Sequence, residues 1–527
     1  MTQNSQRRAG VLIPLFACPS SSSWGIGDIG DIQPVAKWLA AAGQRVLQLL
    51  PMNEMASGQQ SPYSAMSAMA IDPIFIRLTD VPEYDAIGGE KMLSSADCVR
   101  LENARRSRNV DYRTVRALKQ LALSAAFTRF REHEWNRETA RARAFKAYVE
   151  RERWWIDDYA LFRAVHEREE GRPWHEWPAR LRNRESEAVA NARRELADQI
   201  VFRQYLQWVA DEQWSRARTA AREAGVELFG DLPFMVDGDS ADVWSHQSDF
   251  HMDASVGVPP DAFSATGQDW GMPAYRWDTI AGENFRWLRD RARRSAALYD
   301  GYRIDHLVGF YRTYSRPRNG GTPSFEPATE PEQRRLGESL MAVFREPGAE
   351  VFAEDLGQVP DFVRASLARL QIAGFRVFRW EREWNADEQP FRDPAGYPAV
   401  SVATTGTHDT EPMAIWWDEA PETEKQLIAK LPALQRLFAN DGILEAQFIP
   451  TVRDALLEML FASGSNLLLM PVQDVFGWRD RINVPATVGD NNWTYRLPWP
   501  SDRLDQEPEA QERQQKLRDW AKKYHRL

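Results

Sequence analysis

"GYRIDHLVGF", residues 301–310, decides how the fold is read. An apolar lead-in of Ala297, Leu298 and Tyr299 continues through Tyr302 and Ile304, and Arg303, Asp305 and His306 are set into it. Charges inside a short β-like run are uncommon, because burying an unpaired charge is costly. The run is either a strand with an internal ion pair or the end of a strand that opens onto a site. Side chains alternate along a strand, so Arg303 and Asp305 share one face and His306 leaves on the other. Taken alone, an Arg-x-Asp pair is more often structural than catalytic.

Seven similar runs flank it: "RVLQLLPMN" (45–53), "AIDPIFIRL" (70–78), "VELFGDLPFMV" (226–236), "AEVFAEDLG" (349–357), "AGFRVFRW" (373–380), "PAVSVATTGTHDT" (398–410) and "NLLLMPVQDV" (466–475). With 298–306 they make eight candidate strands. Helical patterns separate most of them: "DIQPVAKWLAAAG", "ENFRWLRDRARRSAAL", "PEQRRLGESLMAVFRE" and "VPDFVRASLARLQ". Strands alternating with helices imply parallel pairing through crossovers. Eight such strands in an α/β chain predict a (β/α)8 TIM barrel, with residues 1–527 forming a single catalytic domain. From about 98 to 224 the chain reads as long amphipathic helices rich in Arg, Glu, Ala and Trp. A helical insertion over 80–225 after the second strand, and a long loop over 238–285 covering the barrel mouth, are expected. Leu517, Trp520, Ala521 and Tyr524 recur at helical spacing and predict a closing helix.

Composition narrows the function classes. The 527 residues carry a formal net charge of −10, which disfavours a nucleic-acid binder. Arg residues between Arg100 and Arg218 are interleaved with Glu and Asp, as on a solvated helical face. The two cysteines, Cys18 and Cys98, cannot build a disulfide framework, and the usage fits a reducing cytoplasm. Arg7 and Arg8 precede the apolar "GVLIPLFAC", but this run is short, contains Pro14 and leads to no small-residue cleavage site. A targeting role is therefore not expected. No long apolar stretch predicts a membrane span. Of the 21 tryptophans, several sit in Gly- and Pro-rich loops such as "GQDWGMPAYRW", where an exposed ring can stack on a sugar face.

The predicted strand ends carry the chemistry. Asp231, then Arg303 and Asp305, then Glu354 and Asp355, then His408 and Asp409 close the third, fourth, fifth and seventh predicted strands. In a barrel these ends converge on one mouth. Arg303 beside Asp305 would keep that carboxylate ionised, as a nucleophile or oxocarbenium stabiliser. Glu354 follows Val351, Phe352 and Ala353, and a less polar pocket there would keep it protonated as a general acid. Asp231 alone could cap a turn, and His408 alone could be a structural histidine. No paired histidines stand at i, i+4 spacing, so no metal is expected. No G-x-S-x-G, G-x-G-x-x-G or G-x-x-x-x-G-K-[ST] motif occurs, so neither a serine hydrolase nor a nucleotide cofactor is implied.

The motifs in order resemble a family. "GVLIPLFACPSSSSWGIGDIG", "SPYSAMSAMAIDPIFI", "GDLPFMVDGDSADVW", "GVPPDAFSATGQDWGMPAY", "GYRIDHLVGF", "AEDLG", "TTGTHDT" and "DNNWTYR" are similar, almost end to end, to the 4-α-glucanotransferases (amylomaltases or disproportionating enzymes) of the α-amylase superfamily. The resemblance implies Asp305 as nucleophile, Glu354 as general acid/base and Asp409 as the carboxylate gripping ring hydroxyls. It implies Arg303 and His408 as residues holding the nucleophile and the sugar. It also implies substrate contacts from Tyr63, Asp231, Gln268, Trp270 and Asn492, and from Asp261 and Phe263 on an arching loop. The expected partners are maltooligosaccharides and starch- or glycogen-derived α-1,4-glucans, with glucose as an acceptor and no cofactor. The alternatives are an α-amylase-like hydrolase and a non-catalytic glucan-binding protein on the same barrel.

Overall fold

A computed structural model describes residues 6–56, 58–260, 267–437, 447–485, 487, 489 and 491–527. Eight strands close a parallel barrel: β1 (Arg8–Leu12), β2 (Val46–Gln48), β3 (Glu227–Leu232), β6 (Gly301–Ile304), β9 (Glu350–Ala353), β10 (Ala373–Val377), β11 (Ser401–Thr404) and β12 (Leu467–Pro471). They follow one another around the barrel in chain order, and β12 pairs in parallel with β1 to close it. The predicted (β/α)8 barrel is thus present.

Its strands are not all the predicted ones. Residues 70–78 are not a strand. They form 3-10 turns at Pro73–Phe75 and Leu78–Asp80. Pro73 lacks an N–H, and the Asp72 side chain accepts the Ile74 N–H, which starts a turn instead of a ladder. The missing strand is β1, inside the apolar run that opens the chain, where Arg8 obscured the strand pattern. The 238–285 region is not one long loop. It contributes β4 (Phe250–Val258) and β5 (Gln268–Tyr275), which pair antiparallel with each other, and β4 pairs with β7 (Thr313–Pro317). With β8 (Ser324–Glu326) these make a four-stranded sheet of order β5-β4-β7-β8. Gly, Pro and Asp in "GVPPDAF" and "GQDWGMP" obscured the alternation.

The predicted helices form at Ile32–Ala41, Arg286–Leu298, Glu330–Arg345 and Asp361–Leu370. The helix Pro508–Lys523 buries Leu517, Trp520 and Ala521. Between β2 and β3 run the long helices Tyr112–His133, Ala140–Arg168 and Ala197–Glu223 with shorter ones around them. No described helix is long and apolar enough to cross a membrane.

Period-two alternation fills the barrel. Val46, Phe229, Phe352, Ala373, Phe375, Val377, Val402, Leu467 and Leu469 form one interior cluster. Phe352 packs between Phe229 and Phe375, each 5.8 Å away by ring centroid. Gly301 makes room for this layer, since a Cβ there would lie 2.9 Å from the Phe229 ring. Below it, Arg8 is bonded to Glu227 and to both oxygens of Glu350, at 2.9 and 2.7 Å, so three strand starts share one ion cluster. The same alternation, one step further along each strand, puts Asp231 and Arg303 at the upper end.

The Arg8 cluster supports a stability prediction. Arg8→Met leaves two facing carboxylates without their cation. It should destabilise the protein by about 2 kcal/mol, less than for a fully buried pair because the Glu227 side chain is 38% exposed. Guanidinium unfolding measures this, and an unchanged midpoint would show that the cluster contributes nothing.

Candidate active site

Asp231 and Arg303 are directly paired positions of neighbouring strands β3 and β6. In a parallel ladder such residues point to the same side, here into the barrel. Arg303 is 4% exposed, and its Nε donates to both Asp231 oxygens at 3.0 Å. Its Nη2 donates to Asp305 Oδ1, two residues on. Asp305 Oδ2 takes part in no hydrogen bond among the described residues, and the side chain is 26% exposed. A buried guanidinium is tolerable only with such partners, and it holds the adjoining carboxylate in one rotamer.

Tyr63 joins the cluster from the segment after β2. Its hydroxyl donates to Asp231 Oδ2 at 2.7 Å, lies 3.1 Å from His408 Nε2, and accepts from Arg303 Nη2 at 3.3 Å. Its ring stacks on His408 at 5.3 Å. The segment is held by the long helices. Glu54 accepts from Tyr159 and from Arg163 at 3.0 Å. Gln207 clasps the backbone of Ile71 through N–H and C=O at 2.9 and 2.8 Å. Arg116 takes both oxygens of Asp72 at 2.8 and 2.9 Å. Glu54, Ile71 and Asp72, on either side of Tyr63, are therefore anchored by polar side chains from outside the barrel.

Glu354 stands just beyond β9. Its Oε2 accepts the His306 N–H at 2.7 Å and its Oε1 the Leu356 N–H at 3.2 Å. Burial pushes this carboxyl up to about 7, with the Asp305 charge adding to the rise and Arg303 opposing it. Burial also raises Asp231, against the pull of Arg303. Asp409 moves the other way. Burial acts to raise it, but His408, with Nε2 3.2 Å from Oδ2, and Asn483, donating to Oδ1 at 2.7 Å, hold it well below the usual carboxylate range. Nearly half of its side chain (45%) is exposed, so solvent tempers the effect.

The predicted residues Asp231, Arg303, Asp305, Glu354, His408, Asp409 and Tyr63 thus come together at the carboxyl ends of β3, β6, β9 and β11. Trp270, from β5, stands edge-on to the His306 ring at 4.8 Å, and its indole N–H donates to Gln268 at 3.3 Å. Asn492, beside Trp493, is bonded within its own loop. Its amide is committed to Val484 and Thr487, donating to Thr487 O and Oγ1 at 3.0 Å and accepting from Val484 N at 3.0 Å. It clamps the loop that bears Asn483. Asp261 and Phe263 lie outside the described residues. Sequence reading missed Asn483, as well as Trp493, whose ring lies 5.7 Å from Tyr63 and 5.6 Å from His408. The "DNNWTYR" motif carried a signal for Trp493.

The raised Glu354 has a linkage consequence. The folded state binds this proton more tightly than the unfolded chain. The resulting stability is full below the ordinary carboxylate range and is lost as pH rises toward about 7. Between pH 5 and pH 8 the parent should therefore lose about 1–3 kcal/mol relative to Glu354→Gln. Denaturant melts at the two pH values measure this, and parallel behaviour would mean that Glu354 titrates as an ordinary carboxyl.

Three comparisons bear on this site. The family model described as 4-alpha-glucanotransferase matches residues 13–502. A 4-alpha-glucanotransferase of Thermus thermophilus is 35% identical over 506 residues, covering 93% of this chain and 95% of the relative. One of Chlamydia pneumoniae is 30% identical over 497 residues, covering 93% and 91%. Among solved structures, an amylomaltase from Streptococcus agalactiae in complex with acarbose superposes with a TM-score of 0.81 at 25% identity, covering 99% of this chain and all of that one. With the family model spanning nearly its whole length, the chain belongs to the 4-alpha-glucanotransferase family.

Proposed function

We propose that this chain cuts an α-1,4-glucan and transfers the glucanosyl piece to the 4-hydroxyl of glucose or of another α-1,4-glucan, with retention at the anomeric carbon. The observation that carries the reading is the contrast between two neighbouring carboxyls. Arg303 fixes Asp305, and burial pushes Glu354 up to about 7. Family membership and the likeness to an acarbose-bound amylomaltase support the substrate class.

In this reading Asp305 Oδ2 attacks C1 of the donor sugar, and the C1–O bond to the leaving chain breaks. Glu354 delivers its proton to that oxygen, and the leaving chain departs with a free 4-hydroxyl. The remaining piece is an ester on Asp305. An acceptor 4-hydroxyl then gives its proton to the Glu354 carboxylate and attacks C1, and the ester bond to Asp305 breaks. Asp409, kept ionised by His408 and Asn483, accepts hydrogen bonds from ring hydroxyls as the sugar flattens. Tyr63, Trp270 and Gln268 line the sugar's path. Asp261 and Phe263 would arch over it. The helical part, taken as residues 80–225, walls the groove, and the 238–285 region shields the ester from water. Substrates are maltooligosaccharides and starch- or glycogen-derived chains, with no cofactor. Cys18 and Cys98 are free thiols, which supports a cytoplasmic setting.

Maltotriose alone should yield glucose and a ladder of longer maltodextrins, with activity lost in Asp305→Asn. Glucose and maltose without longer products would make the enzyme an amylase-type hydrolase. Undiminished transfer by Asp305→Asn would remove Asp305 as the nucleophile.

A further inference from the structure

The turn after β6 contains an anomaly that the reaction scheme leaves unused. His306 has φ of +41°, in the left-handed region that residues with a Cβ avoid. Strain of this kind persists only where the surroundings enforce it. They do so here from two sides. The His306 ring sits against Phe234 at 5.6 Å and edge-on to Trp270 at 4.8 Å. Gly309 lets the turn close, since a Cβ there would lie 2.6 Å from the Phe234 ring and 2.9 Å from His306 Cδ2. The Gly309 N–H donates back to the His306 carbonyl at 2.9 Å. The result is a backbone N–H aimed outward from the turn, 2.7 Å from Glu354 Oε2.

We infer that His306 is a positioning residue: its left-handed backbone pins Glu354 Oε2 as the accepting oxygen and so leaves the transferable proton on Oε1. In a protonated carboxyl the carbonyl oxygen accepts well and the hydroxyl oxygen is the donor. The two oxygens of Glu354 are unequally engaged, at 2.7 Å by His306 and at 3.2 Å by Leu356. The closer N–H selects Oε2 as carbonyl and leaves the proton to Oε1. The same N–H also favours the ionised form and so keeps Glu354 from rising further. The charged groups acting on Glu354 are Arg303 and Asp305, from β6 and its turn, and Asp355 beside it after β9. Trp270, from β5, is uncharged. Burial lowers the His306 imidazole to about 4, so at neutral pH the ring adds shape but no charge. The turn after the nucleophile thereby orients the acid, and the two carboxyls are set by Arg303 and His306 of one chain segment.

This inference rests on Glu354 being the acid, so the test separates the two claims. His306→Asn and His306→Ala are compared with the parent on maltotriose across pH, and on α-maltosyl fluoride, whose fluoride leaves without a proton. Asn tolerates φ > 0 and Ala does not. The Ala variant should lose about 10- to 100-fold in kcat/KM on maltotriose, with the alkaline limb moved upward by about one pH unit. It should keep near-parental initial fluoride release, which also shows that it is folded. The Asn variant should stay within about threefold of the parent with its limb in place. Equal losses in both variants with an unmoved limb would overturn the positioning role. If Ala does not fold, the Asn variant alone decides by the same two readings. Glu354→Gln should abolish transfer from maltotriose while releasing fluoride. If it transfers normally, the acid assignment itself fails, independently of His306.

Discussion

The site depends on a single buried guanidinium. Arg303 reaches Asp231 with Nε and Asp305 with Nη2, and it touches the Tyr63 hydroxyl that also engages His408. Removing a cation of this size from water is tolerable only when its donors are matched, and here carboxylates from two chain segments match them. The carboxylates in turn depend on Arg303. Without it, Asp231 and Asp305 would lose the donor that both now share in a low-dielectric mouth. The barrel makes the arrangement possible, because paired positions in β3 and β6 put Asp231 and Arg303 side by side without any loop.

From that cluster the two central carboxyls diverge. Asp305 lies within reach of the cation. Glu354 stands one strand further round, where burial outweighs the attraction of Arg303. Their different surroundings follow from position alone, which is what the proposed mechanism asks of two acids near one substrate. Asp409 completes the set on a third strand end, its charge maintained by His408 and Asn483. The aromatic surroundings, Trp270, Trp493 and the Tyr63 ring, supply apolar faces between these charges.

Much of this was legible in the amino-acid order. Strand ends bearing Asp231, Arg303, Asp305, Glu354, His408 and Asp409 follow in order along the chain, and strand alternation already placed Arg303 beside Asp305. Other parts were hidden for physical reasons. β1 was masked by Arg8, a charge that the barrel accepts only because Glu227 and Glu350 start other strands beside it. Residues 70–78 read as a strand by composition, yet Pro73 and the Asp72 cap bend them into turns. Asn483 acts on Asp409 across 74 positions of chain. The left-handed backbone of His306 leaves no composition signature, since glycine or asparagine is the residue normally expected there.

The proposed chemistry requires Glu354 to hold its proton near neutral pH in the free protein, beside the Arg303–Asp305 pair. Difference infrared spectroscopy of the parent against Glu354→Gln tests it directly through the carbonyl stretch of a protonated carboxyl. A band assignable to Glu354 should persist from pH 5 and fade around pH 7. A band already gone at pH 5 would contradict it.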